Sequence, residues 1–128
     1  MATEDIKIGI SGTSTTKVCK ENCASLMGSG ALDVFATPAV VAYMEMAACY
    51  AVNGLLEEGL STVGTRVDIA HTKASPIGET ITATAILKEI DGRRLVFDVT
   101  ACDSKGEIAS GTHERFIIKV DKFLAKLK

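Results

Sequence analysis

Nowhere does this sequence concentrate charge of one sign: 14 Lys and Arg stand against 16 Asp and Glu, with no basic cluster ahead of the C-terminal tail. The electrostatic footprint of a nucleic-acid binder is missing, which excludes nucleic acid as a partner. Met1 to Asp5 lack a basic stretch leading into an apolar one, so no secretory signal is recognisable and the expected location is the cytoplasm. Histidine is scarce, at two, and the four cysteines do not compensate: Cys19 and Cys23 are four apart, with no second Cys/His pair at a zinc-ligand spacing. No metal or other cofactor is expected, and the cysteines are expected to be reduced thiols. The composition of a disordered chain is absent too, since hydrophobic residues make up 47% and charged residues 23%; the chain should fold. Its 128 residues allow a single domain, 1–128, with one core.

What is there is dominated by Thr37 to Leu56, where Glu45 is the only charged residue and most others are Ala, Val, Met, Leu, Tyr and Cys. Such a segment is a wholly buried helix or a membrane span. Basic flanks are missing and the rest of the chain reads as soluble strands, so no membrane is expected and the helix should be wrapped by protein. Thr37 suits an N-cap and Pro38 the first helical position, while Asn53-Gly54 and Glu57-Glu58-Gly59 end the helix. Met27 to Val34 reads as a flexible lead-in. Ile6 to Lys20 is a first strand, and Ser61 to Thr72, Glu79 to Ile90, Arg93 to Asp103 and Glu107 to Val120 are four more, rich in Val, Ile, Thr and Phe. Asp91-Gly92 predicts a type I′ hairpin turn. The expected fold class is α+β, an antiparallel sheet of about five strands around a long central helix.

Three residues stand out for chemistry. Glu45 has Val41, Ala42, Ala48 and Cys49 as its helical neighbours, which places its carboxylate on the core side. Burying an ionised carboxylate costs several kcal/mol without partners. A structural, locally bonded Glu is the bland alternative; a general base or nucleophile with a raised pKa is the functional one. Under the functional reading an amide in its place is expected to be neutral or stabilising, and under the structural reading to lower the melting temperature. Alternation along Val63, Thr65, Val67 and Ile69 puts His71 on the apolar face at a strand's end, and a histidine beside Glu45 in one core is a proton carrier. His113 shares a face with Arg115, Ile117 and Lys119 and reads as structural or solvent-facing. Thr37 lies eight residues before Glu45, so both can border one cavity near the helix's amino end, whose partial positive charge suits an anionic intermediate. Gly64 interrupts a β-branched strand, which suggests a bulge or a close backbone approach, and its amide could serve an oxyanion.

Phe35-Ala36-Thr37-Pro38, Met44-Glu45, Ser61-Thr62-Val63-Gly64-Thr65, His71, Asp91-Gly92-Arg93-Arg94-Leu95 and Gly111-Thr112-His113-Glu114-Arg115-Phe116 together resemble the hotdog thioesterases related to fluoroacetyl-CoA thioesterase. The resemblance covers nearly the whole chain. It implies a hotdog fold whose subunits join their sheets and share sites, as a homodimer or a dimer of dimers, and it implies acyl-CoA thioester hydrolysis with coenzyme A entering only as part of the substrate. It also implies Thr37, Glu45 and His71 as the catalytic constellation, the Gly64 amide as oxyanion donor and Arg115 as a supporting residue. The stretch Met27 to Val34 lacks the aromatic residues that the fluoroacetyl-specific enzyme has there, so a broader or different short-chain acyl-CoA is expected. Two rivals share these features: a hotdog dehydratase or hydratase acting on acyl thioesters, and a non-catalytic acyl-CoA binding module.

Overall fold

The computed structural model describes residues 3–128. Five strands form one antiparallel sheet: β1 (Ser11–Lys17), β2 (Leu60–His71), β3 (Thr80–Asp91), β4 (Arg94–Asp103) and β5 (Gly106–Lys119). Their spatial order is β1-β3-β4-β5-β2, so β1 and β2 are the two edges. Three helices accompany them: α1 (Ala24–Met27), α2 (Thr37–Val52) and α3 (Val120–Ala125). The layout is the expected α+β sheet curled around one long helix.

Helix α2 turns Ala39, Val40, Met44, Ala47, Ala48, Ala51 and Val52 onto the sheet, where they meet Ile81, Ala83, Ala85, Leu87, Phe97 and Val99. Small alanines let helix and sheet backbones approach closely, and Ser14 Oγ on β1 donates a 2.6 Å hydrogen bond to the Tyr43 carbonyl. The helix is not wholly buried, as its composition suggested. Ala42 is exposed and Glu45 half-buried, while Tyr50 is 53% exposed. One side of α2 therefore lacks cover within a single chain. No helix among the described residues is long and apolar enough to cross a membrane.

Several boundaries differ from the sequence reading for identifiable reasons. The first strand is shorter than Ile6 to Lys20, since the chain turns at Gly9, where φ is +99°, before Ser11, and a short 3-10 turn occupies Lys20–Asn22. Met27 to Val34 is pinned rather than loose: Ala24 N–H donates to the Val34 carbonyl, Ser25 N–H to Leu32, and Asp33 accepts from both Ser25 Oγ and Lys20 Nζ. The hairpin pairs Asp91 with Arg94, so its two-residue loop is Gly92-Arg93, one place later than expected. Only Gly92 has a positive φ, +63°, the pattern of a type II′ turn rather than the type I′ turn that needs two. Six residues after β5 form α3, where the sequence alone suggests only the end of the last strand and a tail.

Candidate active site

The carboxyl end of β2 meets the amino end of α2. The N-cap of α2 is Ala36, with no side-chain cap bond, and Thr37 is already the first helical residue. The capping role expected for Thr37 is thereby removed, because a first-turn side chain points away from the amides it would cap. Its hydroxyl is instead 2.8 Å from His71 Nδ1. Thr37 and His71, with Val34, Phe35, Thr72 and Lys73, border a cavity of about 210 Å³. The other ring nitrogen, His71 Nε2, is buried and has no hydrogen-bond partner among the described residues. An orphaned buried nitrogen is costly unless something else engages it. Burial holds the His71 imidazole below its ordinary value, with the Lys73 backbone pulling the other way.

Glu45 is elsewhere. Two helical turns beyond Thr37, its side chain is 40% exposed, so it does not lie on the core side as the pattern of its neighbours predicted. Three of those four neighbours share the uncovered side of α2, Val41 and Cys49 half-buried and Ala42 exposed, while only Ala48 is buried against the sheet. Glu45 Oε2 accepts from Arg115 Nη1 at 3.3 Å. Arg115 is buried, at 6% exposure, and is held on all sides: Nε donates to Thr62 Oγ1 at 2.9 Å, Nη2 to the Thr62 carbonyl at 3.1 Å, and Nη1 also reaches His113 Nε2 at 3.2 Å. Glu45 is the only carboxylate paired with this guanidinium among the described residues.

Gly64 is what admits the carboxylate. A Cβ on Gly64 would collide with Glu45 Oε2 and come within 3.2 Å of Arg115 Nη1 and His113 Cε1. The close backbone approach inferred from the sequence is thus to Glu45. Beside it the register of β2 on β5 shifts between Gly64 and Arg66. This bulge breaks the alternation assumed earlier: Thr62 and Gly64 share the inward face with Val67, Ile69 and His71, whereas Val63 stands beside half-exposed Phe116 on the other face. Of the two readings of His113, structural and solvent-facing, the structure keeps only the first. It is 1% exposed, stacked on Phe97, and its Nδ1 is 2.8 Å from the Arg66 carbonyl. Its alternation with Arg115 was correct, but an arginine neighbour made an inward face look solvated.

Within one chain, then, the five candidate residues fall into two clusters. Thr37 and His71 form one; Glu45, Gly64 and Arg115, joined by His113, form the other. On β5 the partners of His71 and Gly64 are Ala109 and Arg115, six residues or about 20 Å apart. The expected single cavity bordered by Thr37 and Glu45, and the placement of His71 beside Glu45, do not occur inside the subunit. Among the described residues no group of three His, Cys, Asp or Glu could hold a metal ion.

A five-stranded antiparallel sheet curled on one long helix, with a long edge strand β2 carrying Gly64 and His71 and the helix α2 carrying Thr37 and Glu45, is the layout of a hotdog-fold thioesterase. Comparison with known proteins specifies it further. The family model for fluoroacetyl-CoA-specific thioesterase matches residues 18–121. The fluoroacetyl-CoA thioesterase of Streptantibioticus cattleyicolor is 46% identical over 96 residues, 75% of this chain and 69% of that protein. The solved structure of a fluoroacetyl-CoA thioesterase superposes with TM-score 0.88 at 37% identity, covering 94% of both chains. A Thermus thermophilus thioesterase superfamily member gives 0.88 at 27% identity, covering 95% of this chain and 90% of that one. The chain belongs to the fluoroacetyl-CoA-specific thioesterase family and is a thioester hydrolase.

Proposed function

We propose that the protein hydrolyses short-chain acyl-CoA thioesters in the cytoplasm as a homodimer. Each active site would take Thr37 and His71 from one subunit and Glu45, Gly64 and Arg115 from the other. The observation that carries this reading is the division of the site residues into two clusters about 20 Å apart on the sheet, one of them ending in a buried, partnerless His71 Nε2. Strand β2 offers the means of joining them. It is a 12-residue edge without proline, and such an edge is a template for pairing unless something protects it. A two-fold axis at Val67 would pair two β2 strands antiparallel. Arg66 of each would then stand across from Asp68 of the other, an opposite-charge pair on the outer face, and His71 would reach the Val63-Gly64 stretch. The uncovered side of α2, with Glu45 on it, would be closed by the same association.

In that site the acyl group occupies the cavity beside Thr37 and His71. A volume of about 210 Å³ lies below the several hundred Å³ of sites for larger ligands and suits a short acyl chain. A fluoroacetyl-CoA-specific thioesterase variant has been solved with fluoroacetate and CoA, which supports the thioester as the ligand class. Water, activated by the Glu45 carboxylate, adds to the carbonyl carbon; alternatively the carboxylate itself adds and water then cleaves the mixed anhydride. Either way the oxyanion forms near the Gly64 amide and the Thr37 hydroxyl and the carbon–sulfur bond breaks; the proton given up by the attacking water passes, directly or from Glu45, to His71 and from it to the thiolate. The four cysteines are unpaired, which suits a reducing compartment. A panel of acyl-CoA esters of increasing length tests the reading, with release of free thiol recorded beside hydration of an enoyl thioester. Rapid thiol release from short esters is expected; enoyl hydration without thiol release, or binding without turnover, would overturn it.

A further inference from the structure

His113 is a fully buried histidine to which the reaction above gives no part, and its contacts fix its chemistry. A carbonyl oxygen can only accept, so Nδ1, 2.8 Å from the Arg66 carbonyl, must carry the ring proton. In the neutral ring Nε2 is then bare. Facing it at 3.2 Å is Arg115 Nη1, which can only donate. The same Nη1 donates to Glu45 Oε2 at 3.3 Å. Nε2 and Oε2 are themselves 3.8 Å apart, two acceptors spanned by one nitrogen with two hydrogens rather than an ion pair. The remaining guanidinium contacts go to Thr62, which leaves Nη1 as the arm aimed at the carboxylate.

We propose that His113 is a positioning residue for Glu45, holding the Nδ1–H tautomer so that its Nε2 fixes Arg115 Nη1 and through it the carboxylate above Gly64. A protonated His113 would set one N–H against another and release that arm. Burial accordingly pushes its imidazole below the ordinary value; the Arg66 carbonyl opposes this, Arg115 adds to it, and Glu45 and Glu114 oppose it. The inference rests on Glu45 being the catalytic carboxylate.

Two replacements separate positioning from packing. In His113→Gln the side-chain oxygen can reach the Nε2 position and accept from Arg115, while the Arg66 contact is lost; in His113→Asn the amide can keep the Arg66 contact, while the acceptor for Arg115 is lost. We expect Asn to lower kcat/KM for thiol release at least about 10-fold and Gln to stay within about 3-fold of wild type, as for loss or retention of one oriented charge-assisted contact. Equal losses in the two, in step with their melting temperatures, would make His113 a packing residue and overturn the proposal. Added to Glu45→Gln, His113→Asn should cost no further activity, since its effect passes through the carboxylate; a full additional loss would also overturn it. Should Glu45→Gln alone leave turnover near normal, the site reading fails rather than the positioning of Arg115. Nitrogen NMR of the labelled wild-type protein needs no variant: a proton on Nδ1 throughout the neutral range agrees with the proposal, and an Nε2–H tautomer contradicts it.

Discussion

Gly64→Ala separates activity from stability more cleanly than any other single change here. The added methyl would occupy the place of Glu45 Oε2 and lie 3.2 Å from Arg115 Nη1. What must yield most is the end of a half-exposed glutamate, with Arg115 Nη1 and His113 Cε1 giving by a few tenths of an ångström, so the carboxylate swings away and its 3.3 Å bond to Arg115 is lost. An ion pair with one partner this exposed is worth at most about 1 kcal/mol. The backbone supplies an offset, because Gly64 is not among the glycines with positive φ. Replacing glycine by alanine at a compatible position gains about 0.4 to 1 kcal/mol by restricting the unfolded chain. The two terms nearly cancel, and the melting temperature should move by less than about 3 °C. Activity has no such offset: a displaced base or nucleophile should lose about 10²-fold in thiol release. Thermal melts and initial rates on one purified preparation decide the matter. A folded Gly64→Ala protein with normal turnover would refute the reasoning, as would a large loss of stability with turnover per folded molecule unchanged.

Other outcomes follow from the same geometry. Since Thr37 is not the N-cap, Thr37→Ala should cost less than about 0.5 kcal/mol of stability, below the usual cap penalty, yet lower kcat about 10-fold by freeing His71; Thr37→Ser should be milder, and a large stability loss in the alanine variant would contradict the cap assignment. Glu45→Gln should destabilise modestly, by about 1 kcal/mol in chemical denaturation, because it removes the carboxylate paired with buried Arg115; this reverses the neutral or stabilising effect inferred from a core-facing Glu45, and an unchanged midpoint would restore that inference. His71 and His113 are both held below their ordinary value of 6.5 in the folded protein, chiefly by burial. Folding therefore favours the neutral rings, their contribution is fully present above about pH 6.5, and it is lost as pH falls below it; melting temperatures flat from about pH 8 to about pH 5 would contradict this. Chelators should leave thiol release unchanged, and activity lost to a chelator and restored by zinc would refute the metal-free mechanism.

The sheet and the central helix were legible because both leave a compositional mark: β-branched runs bounded by turn residues, and a segment with one charge between Thr37 and Leu56. Boundaries slipped by one residue where the packed chain overrode the locally favoured choice: Thr37 is the better cap, yet Ala36 holds that place, and Asp91-Gly92 is the better turn pair, yet the loop is Gly92-Arg93. The site was harder. A one-residue bulge at Gly64–Arg66 reverses which side chains face inward upstream of it, and no residue type announces a bulge except the glycine, which also had other readings. His113 was hidden by its neighbour, since an arginine two residues on marks a solvated face far more often than a buried network. The division of Thr37 and His71 from Glu45 lay beyond the reach of periodicity altogether, because it depends on where β2 ends up in the sheet.

The claim that each site is built from two subunits is tested most directly by mixing defects. Glu45→Gln and His71→Ala chains, each expected to lose at least about 10²-fold as homodimers, can be co-expressed with different tags and the mixed dimers isolated. If Glu45 of one subunit works with His71 of the other, every mixed dimer holds one intact site and one doubly defective one, and thiol release should recover to about half of the wild-type rate. If the two residues act within one chain, every site in the mixed dimer keeps a defect and activity stays at the level of the single variants, which would contradict the account.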